Sequence, residues 1–334
     1  MKRILVIATG GTIASLPADG GAGGLAPALT GDELVARVPL VGDLCHIDVV
    51  QPMNIDSTNM RLDGWLAIAA EIERAYHNYD GFVVLHGTDT MAYTAAALSY
   101  LIQGSPKPIA LTGSQQPMSA PFTDAKLNLY QSLVWACDDA SRDVSVVFGG
   151  EVIVGTRAHK QRTLSYNAFT SVNWPVAALV RGGHIAREGR APLAGANTDA
   201  VPTFYHALDE RVVVLKLTPG LRPEVFHALS ASSSAVILEA FGVGGIPDGF
   251  EDVLARWVDA GHTLVITTQV PEEGLDIGVY EVGRAYANRP GVLLGGDMAV
   301  EALVAKTMWA LGNAESRDEA EKLFYCPVNN DRAG

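Results

Sequence analysis

Short apolar runs alternate with stretches of helical periodicity through the first half of this chain, the pattern of a parallel sheet with crossover helices. The runs predict strands over Ile4–Ala8, His46–Gln51, Phe82–His86, Ile109–Thr112, Val144–Phe148 and Glu151–Val154. Helical spacing predicts helices over Gly31–Val38, Leu62–Asn78, Met91–Leu101 and Ala125–Cys137. The pattern lapses over 188–204 and resumes at Val212–Leu217. Ala235–Glu239, Gly249–Ala260, Thr263–Thr267, Leu293–Leu294 and a helix over Met298–Leu311 follow. Two α/β domains are therefore expected, 1–187 and a smaller 212–334, joined by a linker over 188–211.

Two of the strands run into turns dense in glycine and hydroxyls. The first gives Thr9-Gly10-Gly11-Thr12-Ile13-Ala14-Ser15 and the second His86-Gly87-Thr88-Asp89-Thr90-Met91. In an open parallel sheet such turns lie outside the carboxyl ends of the strands, where ligands bind. Two hydroxyls and a carboxylate there suggest nucleophilic chemistry. Each segment also has a plainer reading. Gly10-Gly11 matches neither the dinucleotide fingerprint nor the P-loop, and alone reads as a tight βα turn. Thr88 and Asp89 stand where helix caps stand, and His86 reads as a packed, hydrogen-bonded histidine. Ser57 and Thr58, in a polar turn before the helix at Leu62, could hold a carboxylate or cap a helix. Gly155–Thr163 is dense in cations and on charge alone reads as a solvated basic loop. Gly113–Pro117 with Asp124–Leu129 is expected to form part of the crevice wall. The glycine-rich stretch 19–24 directly after the first turn suits a lid.

Charge narrows the partners. The net charge of −13 supplies no basic field for nucleic acid or anionic membrane. Cys45, Cys137 and Cys326 are widely spaced and form no CxxC, so neither a disulfide framework nor a zinc site is indicated. The chain enters its first strand at once, and no apolar run is long enough for a bilayer, so a cytoplasmic protein is expected.

Taken in order, these segments resemble the bacterial-type L-asparaginase family, which includes glutaminase-asparaginases, over essentially the whole length. The two signatures are Thr9–Ala14 and His86–Met91, and Lys160, Thr163 and Ala168–Ser171 match a third segment. The resemblance implies a flavodoxin-like N-terminal domain and a smaller C-terminal α/β domain. It implies a homodimer or dimer of dimers in the cytoplasmic type I branch, with active sites completed by a neighbouring subunit. It implies hydrolysis of asparagine to aspartate and ammonia, with weaker glutaminase activity, through an acyl-enzyme and with no metal or organic cofactor. Thr12 would be the nucleophile, with Thr88, Asp89 and Lys160 supporting it. Gly11, Ser57, Thr58, Gly87 and Asp89 would bind the small-molecule substrate, Asp89 taking its ammonium group.

The chain departs from the family in two places. A lid tyrosine usual in the family is missing, because residues 1–64 hold no Phe, Trp or Tyr. Tyr280 of the partner subunit is one candidate to replace it, a core tyrosine being the alternative. Val270 stands where some relatives place a cysteine of a regulatory site, so simple hyperbolic kinetics are expected. A broad glutaminase-asparaginase and a non-catalytic amino-acid sensor remain as alternatives. An amidotransferase component acting on aminoacylated tRNA ranks low, given the net charge and the direct entry into the first strand.

Overall fold

The computed structural model describes residues 1–17, 25–27, 31–38, 44–187, 201–276 and 289–333. Contacts divide the chain into Met1–His206 with Val328–Asn330, and Ala207–Pro327 with Asp331–Gly334. Of the expected linker, 188–200 lies outside the described residues, whereas Thr203–Phe204 pairs antiparallel with Ile102–Gln103 of the first unit.

The first unit contains β1 (Arg3–Ala8), β2 (His46–Val50), β3 (Gly81–Leu85), β4 (Pro108–Thr112), β5 (Asp143–Phe148) and β6 (Glu151–Val154). A hairpin of β7 (Ala158–Lys160) and β8 (Phe169–Ser171) follows, then β9 (Ala178–Arg181) and β10 (His184–Ala186). Eight of these form one sheet in the order β10-β9-β6-β5-β4-β3-β1-β2. Neighbours from β2 to β5 are parallel, and β6, β9 and β10 extend the sheet antiparallel. The parallel part thus runs 2-1-3-4-5, the flavodoxin-like order, and its direction of winding reverses between β1 and β3. That reversal opens a crevice beyond the ends of the two strands that carry the paired motifs.

The apolar runs are strands because both faces of the sheet are covered. Every residue of β3 and β4 is buried, so no alternation with polar residues is required. The helices doing this are α1 (Gly31–Ala36), α2 (Leu62–Ala75), α3 (Met91–Leu101) and α4 (Ala125–Ala136). Helix α2 buries Trp65, Ile68, Ala69, Ile72 and Ala75, one stripe at helical spacing. In α3 every position except Tyr93 is buried, which its four alanines permit. Three helices of this unit end earlier than the periodicity predicts, α4 by one residue at Ala136. Residues Tyr76–Asn78 form a 3₁₀ turn after α2, and α1 stops at Ala36. Strand β3 ends at Leu85, releasing His86 into the turn.

The second unit is a four-stranded parallel sheet of β11 (Val212–Lys216), β12 (Ala235–Ala240), β13 (Thr263–Thr268) and β14 (Val292–Leu294), in chain order. Its helices are α5 (Val225–Leu229), α6 (Glu251–Asp259), α7 (Val300–Asn313) and α8 (Arg317–Tyr325). Helix α7 begins and ends two residues later than expected. Helix α8 was not expected, although Ser316 and Glu319 carry its signal: the Ser316 side chain accepts from the Glu319 N–H, and Glu319 accepts from the Glu315 N–H. Among the described residues no helix is long and apolar enough to cross a membrane.

One buried acid makes a stability prediction. Asp143 opens β5 with φ at +53°, a conformation Asn tolerates as well as Asp. Burial raises its carboxyl from 3.8 to about 6, against the opposing pull of Arg142 and a backbone hydrogen bond from Ser105. The folded state therefore holds a proton that the unfolded chain releases between those values, and stability falls as pH rises through that window. Each tenfold in proton affinity is worth ~1.4 kcal/mol, so the ionised group costs about 3 kcal/mol above the window. Asp143→Asn should stabilise the protein by ~2–3 kcal/mol at pH 8 and by less at pH 5. Thermal melting at both values checks this, and a gain that does not grow with pH refutes it.

Candidate active site

The two motif turns are locked together by backbone. Leu85 O accepts from both the Thr9 N–H, at 3.0 Å, and Thr9 Oγ1, at 2.9 Å. Gly11 N–H donates to Ile55 O, and Ile55 N–H to Thr9 O, each at 2.9 Å. The glycines are required by this crowding. A Cβ on Gly11, whose φ is +81°, would sit 2.4 Å from Gly87 Cα, and one on Gly87 would sit 2.5 Å from Ser57 Oγ. Gly11, Gly87 and Ser57 are therefore stacked, with no room for side chains between them. Thr12 follows in a 3₁₀ turn over Thr12–Ala14 and is half-buried.

Strand β7 delivers Lys160 to this point. Its Nζ donates to Thr88 Oγ1 at 2.7 Å and to Asp89 Oδ1 at 2.5 Å. Thr88 in turn donates to Gln115 Oε1 at 3.2 Å. The Lys160 side chain is 15% exposed and that of Asp89 58%, so the pair stands at the mouth of the crevice with the lysine inward. A cation held on a hydroxyl oxygen stabilises negative charge there. Hydrogen bonding accordingly joins Thr88, Asp89 and Lys160, and close packing joins Gly11, Gly87 and Ser57.

Several plainer readings of the sequence are corrected. Asp89 does not cap α3. The cap position is Thr90, and its Oγ1 donates to Ser57 O at 2.8 Å instead of serving the helix. Ser57 does not cap a helix either: Asp56 caps the 3₁₀ turn Ser57–Asn59. Both Thr58 donors, N–H and Oγ1, are committed to Asp56 Oδ1 at 2.9 and 3.0 Å. Thr58 is exposed whereas Ser57 is buried, so Ser57 is the better placed of the two toward Gly87. The segment around Lys160 is a solvated basic loop only at its end, where Gln161, Arg162 and Thr163 are exposed. Arg157 is fully buried, its Nε donating to Asn330 O at 2.6 Å and its guanidinium lying 5.2 Å from the Trp174 ring centroid. The expected lid over 19–24 and Tyr280 both lie outside the described residues.

Two further residues, Gln115 and Asp124, join the site. Gln115, placed in the sequence only on the crevice wall, accepts from Thr88 and donates to Ser165 O. Asp124 shapes that wall by accepting from the N–H groups of Gln115 and Gln116. His86 is a packed, hydrogen-bonded histidine, as expected, and fully buried. Burial lowers it to about 4, so its imidazole is neutral.

Residues 3–192 match the asparaginase N-terminal domain, and residues 211–324 match the glutaminase/asparaginase C-terminal domain. The chain belongs to the asparaginase family. It is 36% identical to an L-asparaginase of Thermococcus kodakarensis, covering 99% of each chain. The solved thermostable L-asparaginase from that organism superposes with a TM-score of 0.91, again over 99% of each chain. L-asparaginase I from Vibrio cholerae superposes at 0.85 with 27% identity and the same coverage. The chain is also 32% identical to one component of the Glutamyl-tRNA(Gln) amidotransferase of Pyrococcus abyssi, over 97% of this chain and 75% of that one.

Proposed function

We propose that this member of the asparaginase family hydrolyses L-asparagine to aspartate and ammonia through an acyl-enzyme on Thr12. The observation that carries the reading is Lys160 Nζ bridging Thr88 Oγ1 and Asp89 Oδ1 at the sheet's winding reversal. Thr12 Oγ1 adds to the side-chain amide carbon, and its proton leaves with the amide nitrogen as ammonia. Water then cleaves the ester, restoring the threonine and releasing aspartate. Lys160 stabilises charge on Thr88, which directs the proton transfers and the incoming water. Backbone N–H groups at Thr88 and Asp89 hold the oxyanion. Lys160 occupies Oδ1 of Asp89, leaving Oδ2 for the substrate ammonium group. Ser57 takes the α-carboxylate. The working assembly is a homodimer or dimer of dimers.

A free amino acid fits this chain better than aminoacylated tRNA, because a net charge of −13 repels a polyanion. Ammonia release from L-asparagine and L-glutamine by the purified protein tests the reading. Asparagine should be favoured by roughly 10–200-fold in kcat/KM, the discrimination one methylene allows. Equal rates would make the protein a broad glutaminase-asparaginase. Binding of asparagine without ammonia from either amide would leave a sensor and overturn the proposal.

A further inference from the structure

Behind the second motif lies a hydrogen-bonded chain that the proposed mechanism does not use. Trp65 Nε1 of α2 lies 2.9 Å from Thr94 Oγ1 of α3. Thr94 Oγ1 lies 2.9 Å from His86 Nε2, and His86 Nδ1 lies 2.7 Å from Gly87 O. Trp65, Thr94 and His86 are all buried. The ends of this chain fix its direction. An indole N–H can only donate, so Thr94 accepts from Trp65. A carbonyl can only accept, so His86 Nδ1 carries a proton and donates to Gly87 O. A neutral imidazole holds one proton, so Nε2 is bare and the Thr94 hydroxyl donates into it. Every polar atom along the chain is satisfied in this one arrangement.

Gly87 O belongs to the peptide that supplies the Thr88 N–H. The described residues include no cis peptide, and in a trans peptide the carbonyl and the N–H point to opposite sides. Pulling Gly87 O inward onto His86 therefore turns the Thr88 N–H to the opposite side of the peptide, away from His86. Gly87 has no side chain to set this plane, and packing against Gly11 and Ser57 leaves no space for one.

We propose that His86 is a positioning residue: the chain Trp65–Thr94–His86–Gly87 O fixes the Gly87–Thr88 peptide so that the Thr88 N–H faces the developing oxyanion. Its catalytic consequence rests on the asparaginase reading above, but its structural half does not. A donor held in place before the reaction needs no reorganisation during it. His86→Asn keeps an N–H near the position of Nδ1, whereas His86→Leu removes it.

The experiment pairs ¹⁵N NMR of histidine-labelled protein with steady-state kinetics. The His86 resonances should report the neutral Nδ1–H tautomer from pH 6 to pH 9, whether or not the protein is active. In His86→Leu, kcat for asparagine should fall about 10- to 100-fold with little change in KM, somewhat less than deleting an oxyanion donor outright. His86→Asn should recover most of that loss. Thr94→Val, a milder change should the leucine variant misfold, should lower kcat by a smaller factor while Gly87 O still holds the proton on Nδ1. An Nε2–H tautomer in the unmodified protein overturns the proposal, and so does a folded His86→Leu enzyme with kcat within threefold. A protein with the Nδ1–H tautomer but no hydrolysis of asparagine would leave the positioning of the peptide intact and overturn the asparaginase reading instead.

Discussion

Lys160→Met should lower kcat for asparagine by about 10³-fold or more, in the upper part of the range for losing a proton-handling group. Methionine keeps a stem as long as that of lysine to Cε and removes the ammonium group with its charge and donors. Thr88 then keeps its bond to Gln115 but loses the cation that stabilises charge on its oxygen. The fold should survive, because the Asp89 partner is 58% exposed and an ion pair so open to solvent contributes at most ~1 kcal/mol. Arginine should not rescue the variant. Its planar guanidinium cannot place one compact cation between a hydroxyl and a carboxylate as an ammonium does. Thr12→Ala should lose at least as much, and the double variant should be no worse than Thr12→Ala alone, since groups acting as a unit are not additive. Ammonia release with melting curves on the same preparations decides the matter. A Lys160→Met enzyme within tenfold of the parent removes Lys160 from the mechanism.

Legibility in the sequence followed the range of the interactions concerned. The turns at Thr9–Ala14 and His86–Met91 were readable because glycine and hydroxyl chemistry in a βα turn is local. The parallel sheet was readable because β3 and β4, buried on both faces, are unbroken apolar runs. Lys160 was not readable from its own neighbourhood, and only the family resemblance singled it out. The first part of its segment escapes being a basic loop because Arg157 is buried against Trp174 and bonded to the carbonyl of Asn330, 173 residues away in sequence. Asp89 looked like a helix cap because its competing partner, Lys160, lies 71 residues away. The hairpin of β7 and β8 has three residues in each strand, too few to display a period of two. Gln115 owes its place to Asp124, whose carboxylate fixes the backbone of the wall from the position just before α4.

Lys306→Met should be among the most damaging single substitutions for stability, costing ~3–5 kcal/mol, the usual penalty for orphaning one member of a buried ion pair. Lys306 on α7 and Asp331 are both fully buried and hydrogen-bonded to each other. Lys306 Nζ also donates to Cys326 O at 2.7 Å, so the ammonium ties two points of the C-terminal segment to α7. Burial pulls the lysine below its ordinary proton affinity, while Asp331 pulls it back up. The two charges are therefore tolerable only together. Removing the lysine leaves a buried carboxylate without the cation it is bonded to, and the midpoint of melting should drop by roughly 10 °C. Lys306→Met with Asp331→Leu removes both charges and should recover at least half of that drop, because apolar replacement of a whole buried pair is often nearly neutral. A melting midpoint within about 2 °C of the parent for Lys306→Met, well inside that expected drop, would show that water or another cation reaches Asp331. If the double variant is instead as unstable as the sum of the two singles, the stabilisation comes from packing along the segment and not from coupling between the charges.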